Sequence, residues 1–288
     1  MPTETGYLVL CPTPIGNLSD MPPRVTECLK EADLIAAEDT RNSIRLLNHF
    51  DIHTPMTSYH EYNKVDKARV LVQKMIAGAK VALITDAGMP GISDPGEELV
   101  RQCHEAGIRV SAIPGPCACV TALTISGLPT RRFCFEAFLP SDKRQRQEVL
   151  RELAVERRTI VLYEAPHHLQ KTLAELAGVL GENRPVSICR ELTKIHEEVC
   201  RLTLGEAARR YETVSPRGEY VLVIGGKPDE EVEKEARAKW DDMTAAEHVR
   251  MYMDQGLDKK EAMKRAAKDR GVSKRDIYQE LIDASENE

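Results

Sequence analysis

At 288 residues the chain is long for one hydrophobic core and divides most naturally into two lobes with an appendage. Its 46 acidic against 40 basic residues leave a net charge of −6 and a pI near 5.8, so no global positive field exists and any nucleic-acid surface must be local. No apolar run approaches bilayer-spanning length, the acidic start (Met1-Pro2-Thr3-Glu4-Thr5) lacks a signal-peptide pattern, and the eight cysteines show neither a CxxC pair nor metal-ligand spacing. Small buried thiols in a reducing cytoplasm, with no membrane segment and no metal, are the expectation.

Tyr7 to Cys11 has the apolar pattern of a strand buried on both faces and runs into Pro12-Thr13-Pro14-Ile15-Gly16-Asn17-Leu18. A dinucleotide-binding fold would show GxGxxG at this turn, and its absence argues against NAD or FAD. Asp33 to Ala37 reads as a second strand ending in Glu38-Asp39-Thr40-Arg41, followed by a helix carrying Ile44, Leu47 and Phe50. Met56 to Tyr59 leads into His60-Glu61, and a helix covers roughly Val65 to Ala77. Val81 to Ile84 is another buried-strand run, and Ile108 to Ile113 follows as a further strand segment, closed by Pro114-Gly115-Pro116. Strands that alternate with helices every ~30 residues mark βαβ units and a parallel sheet.

The densest turn is Thr85 to Gly96, which holds three glycines, two prolines and two aspartates between a strand and a helix. Turns at the carboxyl ends of parallel strands are where ligands bind. Glycine lets backbone approach a ligand, proline stiffens the turn, and Asp86 and Asp94 are acceptors for hydroxyl or ammonium groups. A tight βα turn without a ligand is the alternative reading.

A second lobe starts near Ala118. Arg132 to Phe138 alternates as a strand, Lys143 to Leu153 reads as a basic-faced helix, and Thr159 to Tyr163, Val186 to Cys189 and Gly218 to Ile224 are further strands of a mixed sheet. From Pro228 the composition turns charged, as in a linker. Three helix starts follow, each written as a capping box: Thr244 with Glu247, Asp258 with Glu261, and Ser273 with Asp276, with Gly256 and Gly271 as stops. Lys259, Lys260, Lys264, Arg265, Lys268, Arg270, Lys274 and Arg275 give this tail a basic face, compatible either with a helix-turn-helix-like RNA-binding domain or with the charged exterior of a stabilising cap. The expected division is therefore an N-terminal α/β lobe over 1–116, a second α/β lobe over 117–228, a linker over 229–239 and a helical domain over 240–288.

Several of these motifs recur together, in this order, in one known family. Pro12 to Leu18, Ala37 to Arg41, Ser58-Tyr59-His60-Glu61, Asp86-Ala87-Gly88 with Ile92 to Gly96, Ile113 to Pro116, Tyr163 to His167 and Arg190 to Lys194 resemble the ribosomal RNA small subunit methyltransferase I family. The resemblance is dense over 6–226 and extends into the helical tail. It implies a two-lobed tetrapyrrole-methylase-like α/β fold, with one parallel and one mixed sheet, acting as a homodimer. It further implies S-adenosyl-L-methionine as cofactor and a cytidine 2′-hydroxyl of small-subunit ribosomal RNA, free or in the assembled small subunit, as methyl acceptor. Cofactor contacts carried onto this chain are Pro14, Asp86, Ala87, Gly88, Met89, Ile92, Ser93, Cys117, Ala118, Glu164 and Leu192. The chain departs from the usual pattern at Asn42 (usually His), Met89 (Thr), Cys117 (Ser) and His168 (Arg).

In-line methyl transfer to a ribose hydroxyl needs alignment and a positioned proton acceptor. Glu38, Asp39, His60, Glu61, Glu191, Lys194 and His196 stand at strand ends, and Glu191, Lys194 and Asp39 are expected as a hydrogen-bonded catalytic set. The competing reading has Glu191 and Lys194 as a brace between lobes and Asp39 paired with Arg41. RNA contacts are expected from Arg131-Arg132, Lys143-Arg144, Arg146, Arg157-Arg158, Arg190 and the tail. Two other functions compete: methylation of a tetrapyrrole carbon, and a non-enzymatic RNA-binding assembly factor.

Overall fold

A computed structural model of the chain describes residues 5–286. By contact the chain divides into two compact units, 1–154 with 158–225, and 155–157 with 226–288. The first unit contains both sheets.

The first sheet is built from β1 (Tyr7–Leu10), β2 (Leu34–Ala37), β3 (Met56–Ser58), β4 (Lys80–Ile84) and β5 (Arg109–Ala112), in the order β3-β2-β4-β1-β5 and parallel throughout. Helices α1 (Pro23–Glu31) and α2 (Thr40–His49) cover one face, where Val25, Leu29 and Leu47 meet Val9, Ile35 and Ala82. Helices α3 (Lys64–Ile76) and α4 (Gly96–Glu105) cover the other, where Leu71, Met75 and Leu99 meet Leu8, Leu10 and Leu83. Alternation along the central strands β1, β2 and β4 divides their side chains between these two cores, so every residue of Val81–Ile84 is buried. The strand order has a consequence for ligand binding. β1 and β4 are neighbours, yet the chain leaves β1 for a helix on one face and β4 for a helix on the other. Their carboxyl ends therefore diverge and open a crevice.

The second sheet has the order β6-β7-β10-β8-β9, from β6 (Phe133–Phe138), β7 (Thr159–Glu164), β8 (Pro185–Arg190), β9 (Glu198–Thr203) and β10 (Tyr220–Ile224). Only β6 and β7 are parallel, so the sheet is mixed as expected. One face packs on α6 (Lys143–Val155), α7 (Pro166–Leu180) and α8 (Leu204–Thr213). The other carries Val161, Cys189, Val221 and Val223 against α5 (Ala118–Ile125), Leu192 and Ile15 of the first sheet's leading loop.

The second unit holds α9 (Asp229–Ala238), α10 (Ala245–Asp254), α11 (Lys259–Arg270) and α12 (Lys274–Glu286). The 229–239 segment, expected as a linker, is mostly helical. α9 carries three acids in its first turn, matched to the positive end of the helix dipole, and buries none of its residues. Thr244 and Glu247 form a reciprocal capping box, as do Ser273 and Asp276. Asp258 accepts from the Glu261 N–H without the return bond, and Gly271 ends α11 in the left-handed conformation. The small core is Val249, Ala262, Met263, Ala266 and Ile277, with the fully buried His248 stacked on Trp240 at 3.9 Å.

Candidate functional site

Two loops meet across the β1/β4 crevice. Thr13 and Gly88 form an antiparallel bridge with N–H to O distances of 3.0 Å in both directions, and the Thr13 hydroxyl donates to the Thr85 carbonyl at 3.2 Å. Gly88 has φ +85°, and a Cβ there would come 3.2 Å from Ile15 Cγ2, so the bridge requires glycine. Asp94 supports the same loop from within. Its carboxylate accepts from the N–H groups of Gly91 at 2.8 Å, Ile92 at 3.3 Å and Gly96 at 2.7 Å. Burial raises its pKa against those three bonds, but its acceptor capacity is directed into the turn and not toward a ligand.

Above this bridge lies a cavity of about 450 Å³, within the range of sites that enclose small ligands. Its wall includes Ile15, Glu38, Thr85, Asp86, Ala87, Gly88, Met89, Ile92, Ser93 and Asp94 from the first sheet's loops. Cys117, Ala118, Phe138, Tyr163, Glu164, Ala165, Pro166, Cys189, Leu192, Glu219, Tyr220 and Val221 complete it. Ten of the eleven expected cofactor residues thus stand around one space. Pro14 does not, and its neighbour Ile15 takes the place in the wall.

The carboxylates around this space are differently committed. Asp86 accepts the Asp39 N–H on one oxygen at 3.2 Å and the Asn42 amide on the other at 3.1 Å, so the departure at Asn42 retains a hydrogen-bonding partner for Asp86. Glu164 is buried and accepts from the Ala165 N–H at 2.8 Å and the Thr172 hydroxyl at 2.5 Å, leaving its backbone for any ligand contact. Glu38 takes the Thr85 hydroxyl at 2.5 Å and the Asp86 N–H at 3.5 Å, both on Oε2. Its other oxygen retains acceptor capacity at the wall.

The expected catalytic set does not assemble. Asp39 caps α2 and holds Arg41, with Oδ1 accepting the Arg41 N–H at 2.8 Å and Oδ2 the guanidinium at 2.8 Å. That guanidinium brings the Asp39 carboxyl down to about 2. Successive residues at a strand end point to opposite sides, which sends Glu38 to the cavity and Asp39 to the helix cap. Glu191 and Lys194 do pair, outside the wall. Lys194 Nζ donates to Glu191 at 2.9 Å and to Glu219 at 3.0 Å, and Glu191 also accepts the Glu219 N–H at 2.9 Å. Burial opposes both charges, but the mutual bonds prevail and move the Glu191 carboxyl down and the Lys194 ammonium up. The Lys194 stem lies against Gly16 of the first sheet's loop, and Glu191 and Thr193 adopt positive φ of 51° and 65° to form this bend. This is a brace across the cavity's edge, held through Glu219.

Some expected RNA contacts are also turned inward. Arg146 is bound to Glu175 and Thr172, both at 2.7 Å, and Arg190 to the Arg217 carbonyl at 2.7 Å. Arg270 donates to His248 Nδ1 at 3.1 Å and to the Met243 carbonyl. Arg131, Arg132, Lys143 and Arg144 are exposed, as are Lys259, Lys260, Lys264, Arg265, Lys268, Lys274 and Arg275 in the second unit. The His168 ring lies beside that of His167, with centroids 4.1 Å apart and planes tilted by 49°. Ile15, Tyr163 and Glu219 entered the wall unforeseen as site residues; Tyr163 and Ile15 lie within the quoted motifs, whereas Glu219 had no local signal. Among the described residues no group of three or more His, Cys, Asp or Glu could hold a metal, and no helix is long and apolar enough to cross a membrane.

Residues 7–208 match the family model described as tetrapyrrole (corrin/porphyrin) methylases. The chain is 50% identical over 275 residues to the ribosomal RNA small subunit methyltransferase I of Halalkalibacterium halodurans, covering 96% of this chain and 94% of that protein. It is 46% identical over 274 residues to the protein of the same name from Synechocystis, covering 95% and 96%. Among solved structures, the uroporphyrin-III C-methyltransferase of Thermus thermophilus complexed with S-adenosylhomocysteine superposes with a TM-score of 0.55 at 20% identity, covering 76% of this chain and 97% of that one. Two lobes around a cavity at the sheet's switch point, with relatives aligned over nearly their whole length, place this chain in the ribosomal RNA small subunit methyltransferase I family of the tetrapyrrole methylases.

Proposed function

We propose that the protein transfers the methyl group of S-adenosyl-L-methionine to the 2′-hydroxyl of a cytidine in small-subunit ribosomal RNA. The observation that carries this reading is the cavity at the β1/β4 crevice, in a chain half identical to a named ribosomal RNA methyltransferase. The wall suits the cofactor. Ile15, Met89, Ile92, Leu192 and Val221 offer an apolar slot for a flat heterocycle, the backbone of 86–89 approaches closely because Gly88 has no Cβ, and Glu38 offers a carboxylate to a cationic or hydroxyl donor. When bound, the cofactor supplies a methyl group activated by its sulfonium.

The chain's own contribution is alignment and proton acceptance. Glu38 is our candidate acceptor in the wall, because both of its bonds fall on Oε2, whereas Asp86, Asp94 and Glu164 have both oxygens engaged and Glu219 is paired with Lys194. Glu191 and Lys194 act as positioning residues that fix the 190–198 loop and Glu219, and Asp39 acts through α2. Pro14, Asp86, Ala87, Gly88, Met89, Ile92, Ser93, Cys117, Ala118, Glu164 and Leu192 form or support the cofactor site. The exposed basic residues of α11 and the 131–144 region bind RNA phosphates. The protein works in the cytoplasm as a homodimer, whose partner copy would cover exposed apolar side chains such as Val120, Phe133 and Phe138.

A labelled-methyl assay offering assembled small subunits, naked ribosomal RNA and a porphyrinogen tests the assignment. Label is expected on ribosomal RNA and, after digestion, on a 2′-O-methylcytidine. Label on the porphyrinogen, or cofactor binding without transfer to any of the three, overturns it.

A further inference from the structure

One part of the cavity wall carries chemistry that methyl transfer does not use. Cys117 stands at the amino end of α5 and lines the cavity, and Cys119 lies buried behind it with its sulfur 3.4 Å from that of Cys117. We propose that Cys117 and Cys119 form a reactive dithiol, in which Cys117 takes up thiol-directed disulfides from the cavity and Cys119 resolves the adduct into a Cys117–Cys119 disulfide.

Position assigns the roles, since Cys117 lines the cavity and Cys119 lies buried behind it. The hydrogen bond shared by the two sulfurs, joined by the Val120 and Cys119 N–H groups at the helix start, brings the Cys117 thiol down despite partial burial. Cys119 moves the other way, because the same hydrogen bond and burial keep its proton on. Cys117 is therefore the nucleophile with access to the cavity, and Cys119 the protonated partner behind it. Closing the pair to a bonded S–S length of about 2.05 Å moves the sulfurs together by only about 1.4 Å from their 3.4 Å separation. Cys103 and Cys189, by contrast, are pushed up to about 11 by burial alone or burial foremost. A second close pair, Cys11 and Cys28 at 3.6 Å, lines no part of this cavity and serves as an internal comparison.

Disulfide formation also bears on ligand uptake, a consequence that rests on the cofactor reading above. Cys117 and Ala118 are wall residues, and the Cys119 N–H donates at 3.2 Å to the hydroxyl of Tyr163, another wall residue. Drawing the sulfurs together moves the Cys117 side chain within that wall.

The probe is 5,5′-dithiobis(2-nitrobenzoate) at one equivalent per chain. The Cys117 thiolate attacks the reagent's disulfide, forms a mixed disulfide and expels one thionitrobenzoate. Cys119 then loses its proton to solvent, attacks the Cys117 sulfur and expels the second. Two protein thiols are oxidised and the reagent's disulfide is reduced. The expected result is two thionitrobenzoates per reagent consumed and a 117–119 peptide lighter by two hydrogens and refractory to iodoacetamide. Cys119→Ser should release one and retain the adduct on Cys117. S-adenosylhomocysteine at ten times its Kd should slow the reaction at this pair about ten-fold and leave Cys11 and Cys28 unaffected. An unmodified 117–119 peptide while other thiols react, or two equivalents released at this site by Cys119→Ser, overturns the dithiol. A reaction rate unchanged when S-adenosylhomocysteine is bound overturns its link to the cavity. Failure of the reduced protein to bind S-adenosylhomocysteine at all counts against the proposed function and leaves the thiol result standing.

Discussion

Replacing Lys194 by Met keeps the stem that lies against Gly16 and removes only the charge. Lys194 and Glu191 are 28% and 18% exposed, between a surface pair worth under about 1 kcal/mol and a buried pair whose disruption costs about 3–5 kcal/mol. Glu191 would keep the Glu219 N–H but lose the ammonium that donates to it at 2.9 Å, and Glu219 would be released at the cavity wall. The expected cost is about 2 kcal/mol, which for a unit of this size lowers Tm by ~4–8 °C. As a brace, Lys194 should affect cofactor affinity and turnover together and modestly, within about ten-fold, with an unchanged pH-rate profile. Calorimetry of Lys194→Met, Glu191→Gln and the double variant isolates the pair as a coupling energy. Abolished turnover with Tm and cofactor affinity unchanged would refute the brace and put Lys194 in the chemistry.

Asp94→Ala leaves the N–H groups of Gly91, Ile92 and Gly96 without their acceptor and should cost about 2–3 kcal/mol together with at least ten-fold in S-adenosylhomocysteine affinity, read by titration calorimetry. For Asp39 the sign follows from a carboxyl held at about 2 instead of its ordinary 3.8: its contribution is full above pH 3.8 and is lost as pH falls through about 2. The stability difference between wild type and Asp39→Asn should therefore shrink on acidification across that window, and a difference that grows would contradict the Arg41 pairing. The Glu191–Lys194 brace should weaken at both extremes, because the Glu191 carboxyl lies below its ordinary 4.5 and its contribution goes as acid protonates it. The Lys194 ammonium lies above 10.5 and its contribution goes as base deprotonates it. Lys260→Gln, Lys264→Gln and Lys268→Gln combined should weaken ribosomal RNA binding and flatten its salt dependence by about two to three counterions, measured by filter binding across salt concentrations, with cofactor affinity unchanged.

Much of the first sheet could be read from the chain because its three central strands, β1, β2 and β4, are short apolar runs buried on both faces and ended by a polar or Gly/Pro cluster, whereas β3 is half-buried and the edge strand β5 largely exposed. Three dissimilar helix starts in the tail were legible for the same local reason, since a cap and its N3 partner are close in sequence. Other elements left weaker traces. α9 buries nothing and so carries no apolar stripe to separate it from a linker, and α8 escaped notice although Thr203 and Glu206 form a capping box. Glu38 and Asp39 are chain neighbours of similar chemistry, and only the exit angle from β2 sends one to the cavity and the other to cap α2. The sequence alone determined the buried strands, the loop rich in Gly, Pro and Asp, and the motifs that mark the family, because those depend on neighbours along the chain. Tertiary structure decided the β3-β2-β4-β1-β5 order, the closure of Cys117, Leu192 and Glu219 over the 85–96 loop, and the inward commitment of Arg146 and Arg270. These depend on partners far apart in sequence, which compete for the same side chains only once the sheets have formed.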